Sequence, residues 1–466
     1  MTRATWRTRL GFVLAAVGSA VGLGNIWRFP WLTATNGGAA FLLLYVLVIV
    51  LVGVPGLLGE MVIGRRSRRN PVGAFGELGG RPWRVLGGVA LFASVVVLSF
   101  YSVVGGWILR YTAASATGAY FGAPQQYFAA IDFGVGAAAF HALFLLATVA
   151  VVYAGVDRGI ELATTVMVPG IVVLFGGLAV WAWTLPGSAG GYEFYLSLDV
   201  AYLRANFFDV LVAAAGQALF TLSVGAGAML TYASYIDEDR SLAADGTIIA
   251  VLNTGIGVLA GLVIFPLLFS LGVSPGEGGP GALFVGLAGA FADLPYSRVV
   301  GVVFFGVVLL AALSSAISIF EVLVAYLVDE HDITRARATA GVGGLFLLTG
   351  SLAALSPGLF ALLADTIANL ALTAGLLGFL LFVGWVLGPA AIDEYRTGAG
   401  TVARMTGRPW YYTVAVVLPL FLAFTLVSGL GGVLGVPVTA PQAAAIAALG
   451  VVVAIALVRH RVDTAV

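Results

Sequence analysis

Stretches of roughly 20 apolar residues, the length a helix needs to cross the hydrocarbon of a bilayer, alternate along this chain with short arginine-bearing or glycine- and proline-rich intervals. Reading each stretch as a spanning helix predicts twelve, near 10–35, 39–63, 86–114, 134–154, 160–184, 206–235, 244–271, 298–328, 338–356, 361–388, 411–431 and 440–458. Two of them are irregular. The first carries GSAVGLGNIWRFP over residues 18–30, and the sixth carries GQALFTLSVGAGAMLTYASY over residues 216–235. In lipid every backbone amide must find a partner inside the protein, so a glycine-rich break at membrane depth survives only where it is buried and lines a site. LSVGAG at 222–227 echoes SAVGLG at 19–24. Two interrupted helices in corresponding positions suggest two five-helix repeats, spans one to five and six to ten, whose breaks meet at the site, with spans eleven and twelve outside that core.

Composition agrees with a polytopic, all-α membrane protein: 61% hydrophobic, 9% charged, mean hydropathy +1.05. A soluble chain of this size needs far more polar surface. The basic, then apolar start could be read as a secretory signal, but it runs on into Asn25, Arg28 and Pro30 and then into another apolar stretch, so it reads as a first span. The intervals 185–205 and 272–297 are the longest polar ones and are expected to be extracellular loops with short helices of their own. No separate soluble domain fits between the spans. The whole chain, 1–466, is expected to be one transmembrane domain, with repeats at about 8–185 and 205–390 and two further helices at about 410–459.

Charge adds orientation. All 22 basic residues are arginine, and 18 of them fall on one side if both termini are cytoplasmic, leaving Arg28, Arg110, Arg204 and Arg298 elsewhere. That asymmetry predicts a multi-pass protein of the cell membrane with cytoplasmic ends. A net charge of zero argues against a nucleic-acid partner, and the absence of cysteine excludes disulfides and thiolate metal sites.

Either glycine break alone is more simply read as a close-packing surface between helices. Asn25, Gln217, Thr221 and Ser223 alter that reading, because polar groups at the midplane need partners. Broken helices expose carbonyls that hold a small cation and amide ends that face an anion, which together suit a zwitterion and a metal ion.

These residues resemble the neurotransmitter:sodium symporter family, in its prokaryotic amino acid transporter branch. The likeness covers nearly the whole chain. It is carried by both broken segments, GVPGLLGEMVIGR at 53–65, Leu252-Asn253-Thr254, Phe265-Pro266 and ALSSAIS at 312–318. The resemblance implies a sodium-coupled symporter importing an amino acid by alternating access, with two sodium ions. One ion would be held by Ala20, Asn25, Thr221 and Asn253, the other by the carbonyls of Gly18, Val21 and Ala311 and the hydroxyls of Ser314 and Ser315. Its substrate carboxylate would meet the amides of Leu23 and Gly24 and the Tyr101 hydroxyl. The amine would meet Ala20, Phe220, Thr221 and Ser223, and the side chain Val97, Phe220, Ala226, Ser315 and Ile319.

Ala226 stands where the bacterial leucine transporter has a bulky aromatic, which implies a larger pocket and an apolar or aromatic amino acid. Ser19 replaces an Asn, a change expected to leave the site working. Arg28 and Asp365 match the family's outer gate, with Phe220 as lid. Arg3, Trp6, Ser234, Tyr235 and Asp329 match its inner gate, which Glu321 is expected to join, and Glu60 matches a carboxylate that caps broken backbone. Chloride, where the family uses it, lies near positions matching Tyr45, Gln217, Thr221 and, here, Gly257. With no acid in 252–265 to replace it, chloride stimulation is expected. A monomer or weak homodimer in the bilayer is expected.

An enzyme is the first rival. His141, His331 and His460 are scattered, however, and no carboxylate cluster at membrane depth suggests catalysis. The alternative on the same fold is a sensor that binds an amino acid without transporting it.

Overall fold

The computed structural model describes residues 5–237, 239–270, 272, 283–292, 294–436 and 438–465. Ten helices are long and apolar enough to cross a membrane: α2 (Ala39–Ser67), α3 (Arg81–Thr117), α4 (Val135–Tyr153), α5 (Val156–Trp183), α7 (Leu242–Ser270), α8 (Ser297–His331), α9 (Arg335–Leu355), α10 (Pro357–Leu387), α11 (Ala403–Leu434) and α12 (Ala440–Arg459). Two further crossings are made in pieces. α1 consists of α1a (Arg9–Ala20) and α1b (Gly24–Thr35), bent by 48°. α6 consists of α6a (Phe207–Thr221) and α6b (Ala228–Ala233), separated by a run of turns. The apolar pattern therefore placed the spans to within a few residues, and both breaks fall where glycine interrupts it.

The packing has the two-fold character of an inverted repeat. α3 lies along α8, α3 also meets α9 as α8 meets α4, and α6b packs on α2 as α1a packs on α7. α11 and α12 pair with each other, and α11 rests on α10, outside the repeat. Large apolar side chains such as Leu146, Val166, Val173, Leu348 and Leu449 point outward from α4, α5, α9 and α12. In water such a surface would drive aggregation, whereas against lipid tails it costs nothing.

Of the two polar intervals, the first carries helices Ala189–Leu196 and Val200–Ala205, and the described part of the second carries one over 283–291. The connection from α2 to α3 holds the short helix Pro71–Gly79, whose Phe75 ring packs on Phe379 and Phe382 of α10. Helix starts follow local chemistry. Thr8 caps α1a by accepting from the Gly11 amide, and Asn70 caps Pro71–Gly79 by accepting from that of Gly73.

Candidate functional site

The two breaks lie side by side in the core, and their freed backbone groups are taken up by named side chains. The Gly225 amide donates to Glu60 Oε1 (2.5 Å) and the Leu230 amide to Glu60 Oε2 (3.3 Å). Ser94 Oγ on α3 donates to the Ala226 carbonyl (3.0 Å), and Gln217 Nε2 to the Gly24 carbonyl (2.6 Å). The Leu23 amide donates to Tyr101 Oη (3.2 Å) and the Gly22 amide to Asn25 Oδ1 (3.2 Å). Because each such group left unpaired in hydrocarbon would cost several kcal/mol, these partners are what make the breaks tolerable.

Sequence explains the local shape. Ser223, Gly225 and Gly227 have φ of 53°, 92° and 75°, so the chain between α6a and α6b turns left-handed three times. Gly tolerates that region and Ser does not, but Ser223 is held there by donating from Oγ to the Ser19 carbonyl (2.9 Å). At Gly22 a side chain would run into Ser315 Oγ and the Tyr101 hydroxyl, so only glycine lets α1 come this close.

Two clusters of oxygens flank the breaks. In the first, Ser314 Oγ lies 3.3 Å from the Val21 carbonyl and 2.9 Å from that of Ala311. Ser315 Oγ lies 3.4, 2.9 and 3.2 Å from the carbonyls of Gly18, Ser19 and Val21. In the second, Thr221 Oγ1 sits 3.0 Å from Asn25 Oδ1 and 3.3 Å from Asn253 Oδ1, and Asn25 Nδ2 donates to the Asn253 carbonyl at 2.9 Å. All of these donors are neutral oxygens, a set that suits a hard cation of low charge. Among the described residues no cluster of three His, Asp or Glu side chains could hold a metal of higher charge.

Beside these clusters lies a small cavity of about 30 Å³. Ala20, Leu23, Gly24, Val97, Tyr101, Phe220, Ser223, Ala226, Ser315 and Ile319, all residues that the family resemblance implies meet a substrate, line it. Thr221 does not, since its hydroxyl turns to Asn25 and Asn253. Gly22 and Leu372 line it too. Gly22 lies within the same glycine motif and was legible there, but nothing in the pattern of α10 marks Leu372.

Arg28 and Asp365 face a second, larger cavity of about 270 Å³ on the side of α1b. Arg28 donates to Asn369 Oδ1 (3.2 Å), one turn beyond Asp365, and its guanidinium stands 4.9 Å over the Phe220 ring.

At the opposite end Trp6 inserts under α6b, with its ring nitrogen donating to the Tyr232 carbonyl (3.0 Å) and its ring edge-on to Tyr232 and Tyr235. Tyr235 Oη donates to the buried Glu321 (3.0 Å), which also receives both arms of Arg335 at 3.0 and 2.6 Å. Asp329 accepts from the Asn70 amide (3.1 Å). Arg3 lies outside the described residues. Arg335 and Asn70 are participants that sequence reasoning missed, because each reads as an ordinary polar residue at a helix end.

Near the second oxygen cluster, the Tyr45 hydroxyl, Gln217 Oε1 and the Thr254 hydroxyl are buried without a hydrogen-bond partner among the described residues. A side-chain carbon at Gly257 would stand 3.5 Å from Asn25 Nδ2 and 3.9 Å from the Tyr45 hydroxyl, so glycine leaves room here.

A sequence profile described as the Sodium:neurotransmitter symporter family matches residues 3–122 and 132–457. The chain belongs to this family. Among its relatives is the uncharacterized sodium-dependent transporter YhdH of Bacillus subtilis, 34% identical over 91% of this chain and 97% of the relative. An uncharacterized sodium-dependent transporter of Methanocaldococcus jannaschii is 32% identical over 93% of each. The sodium-dependent dopamine transporter of Bos taurus is 27% identical over 91% of this chain and 68% of the relative. A crystal structure of MhsT in complex with L-phenylalanine superposes with a TM-score of 0.82 at 36% identity, covering 92% of this chain and 100% of MhsT. The protein is thus a sodium-dependent transporter of a family of transporters rather than enzymes, with two five-helix repeats, broken helices α1 and α6, and two added helices.

Proposed function

We propose that this transporter is a symporter that couples the entry of two sodium ions to the import of an apolar or aromatic amino acid by alternating access. The observation that carries the reading is the convergence of the Gly18, Ser19, Val21 and Ala311 carbonyls on the Ser314 and Ser315 hydroxyls, directly beside an apolar cavity. Sodium is cargo here. One ion would take the oxygens around Ser314 and Ser315, the other those of Ala20, Asn25, Thr221 and Asn253. The substrate carboxylate would meet the amides of Leu23 and Gly24 and the Tyr101 hydroxyl, and the amine would meet the backbone carbonyls of Ala20, Phe220 and Thr221 and the Ser223 hydroxyl. The side chain would enter the space among Val97, Phe220, Ala226, Ser315 and Ile319. An apolar substrate is supported by the walls of the cavity and by MhsT, whose structure contains L-phenylalanine.

Coupling follows from shared groups. A cation at Asn25 and Thr221 lies next to the cavity that takes the carboxylate, so each ligand strengthens the binding of the other. Each net charge carried inward releases about 2.3 kcal/mol per 100 mV of membrane potential. Arg28, Asp365 and Phe220 would close the outer side, and Trp6, Tyr235 and Asp329, with Arg3, the inner one. The arginine asymmetry supports cytoplasmic termini.

The test is uptake of a labelled amino acid mixture into proteoliposomes under an inward sodium gradient, against an equal potassium gradient. Sodium-dependent accumulation of one or a few apolar amino acids is expected. Binding without accumulation would replace transport with sensing.

We also propose that chloride stimulates this activity. The buried Tyr45 and Thr254 hydroxyls, close to each other but in no well-formed hydrogen bond among the described residues, supply donors for an anion, and unpaired buried donors are costly unless something meets them. Replacing chloride with gluconate is expected to slow uptake severalfold; unchanged uptake would remove the anion from the mechanism.

A further inference from the structure

The inner cavity and the outer cavity are neighbours in the core, and among the described residues only Leu372 of α10 lines both. Its side chain is buried, 5% exposed, although it borders two spaces. On the opposite wall the adjacent residues Leu219 and Phe220 divide the same duty, the first lining the outer cavity and the second the inner. Leu219, Phe220 and Leu372 therefore stand where the two cavities border each other, Phe220 and Leu372 on the inner one, and the Arg28 guanidinium stands over the Phe220 ring.

Leu372 is also anchored in an unusual way. A side-chain carbon at Gly225, in the left-handed turn of α6, would overlap the Leu372 carbonyl, and one at Gly375, a turn further along α10, would overlap the Gly225 carbonyl. The backbone of α10 thus lies directly on the unwound backbone of α6 with no side chain between them. Close packing of that kind fixes the Leu372 Cα against α6.

We propose that Leu372 sets the length of apolar side chain that the inner site accepts, by acting with Phe220 as the partition between the two cavities. The inference rests on reading the inner cavity as the amino acid site. Cutting Leu372 back to a methyl group would join the two spaces and let a long side chain extend past Phe220 towards Thr373 and Leu370. A bulkier residue there would fill the distal end of the inner cavity and exclude rings, leaving room for a small substrate. Apolar pockets discriminate by about 10-fold or more per methylene, so the effect is within reach of a competition assay.

The experiment measures competition by L-alanine, L-leucine, L-phenylalanine and L-4-phenylphenylalanine against the labelled amino acid that the wild-type protein accumulates in proteoliposomes with sodium. In Leu372→Ala the biphenyl compound is expected to gain about 10-fold relative to alanine. In Leu372→Trp phenylalanine is expected to lose about 10-fold relative to alanine. Leu372→Met, of similar volume, is expected to preserve the wild-type order, which separates a filled-volume effect from a general packing defect. Since the chain contains no cysteine, Leu372→Cys provides its single thiol. That thiol is expected to react with an impermeant methanethiosulfonate cation from outside and to be protected when sodium and amino acid are both present. Unchanged competition ratios in both the Ala and Trp variants, or a thiol equally reactive with and without amino acid, would overturn the proposal while leaving symport intact. Absence of any sodium-dependent amino acid uptake by the wild type would overturn the symport reading and the partition together.

Discussion

The two ends of this bundle are built differently. On the side of α1b two charges, Arg28 and Asp365, face a cavity of about 270 Å³, and the side chains of Phe220 and Leu372 line the smaller cavity that borders it. At the other end closure is distributed over ring packing around Trp6, the Glu321 and Arg335 pair with Tyr235, and Arg9 on Asp245 (2.6 Å). Arg65 reinforces that end: fully buried, it bonds Glu394 and the Arg240 carbonyl and so ties α2 to the helix Ala390–Arg396 and to the segment that precedes α7. A partition of two side chains opens through rotamer changes and small helix shifts. A seal made of buried charges opens only if every partner is resatisfied. The difference implies that opening the wall beside Leu372 is the cheaper motion and opening at the Trp6 end the costlier one.

The comparison breaks first at the inner end. Arg335→Ala leaves Glu321 buried with only the Tyr235 hydroxyl, and losing one partner of a buried pair costs about 3–5 kcal/mol. A drop in melting temperature and a loss of uptake of more than about 10-fold are expected; wild-type stability would show that the inner seal does not depend on this pair. Trp6→Ala removes a ring whose truncation costs up to about 3–5 kcal/mol in a packed core. Here the expected result is faster labelling from the cytoplasmic side of a cysteine placed at Ser19, beside α6b, and weaker substrate binding. Unaltered labelling would move the seal elsewhere. The smallest effect is expected at the outer end. Asn369→Ala removes one hydrogen bond from Arg28, about 1 kcal/mol, and should change apparent affinity severalfold while leaving melting temperature unchanged. A stability loss as large as that of Arg335→Ala would erase the asymmetry.

Much of this was legible in the chain. Runs of apolar residues placed the spans because a bilayer imposes length and composition directly, residue by residue. The breaks were legible because glycine beside polar residues at membrane depth has few physical explanations. Ten residues that line the inner cavity are ones the family likeness, not any local pattern, had marked for substrate contact. Leu372, Arg335, Ser94 and Asn70 were not legible. Each lies in an ordinary helix or helix end, and its significance comes from what another part of the chain brings to it: Gly225 to Leu372, Glu321 to Arg335, the Ala226 carbonyl to Ser94, Asp329 to Asn70.

The amino-acid sequence by itself therefore determined the helices, their interruptions and the family, because these depend on local chemistry and on the solvent that surrounds the chain. Only the tertiary structure decided which freed backbone groups meet which side chains, where one cavity ends and the next begins, and which end of the bundle is sealed by charge. Those depend on contacts between residues hundreds of positions apart, for which no local pattern in the chain carries a signal.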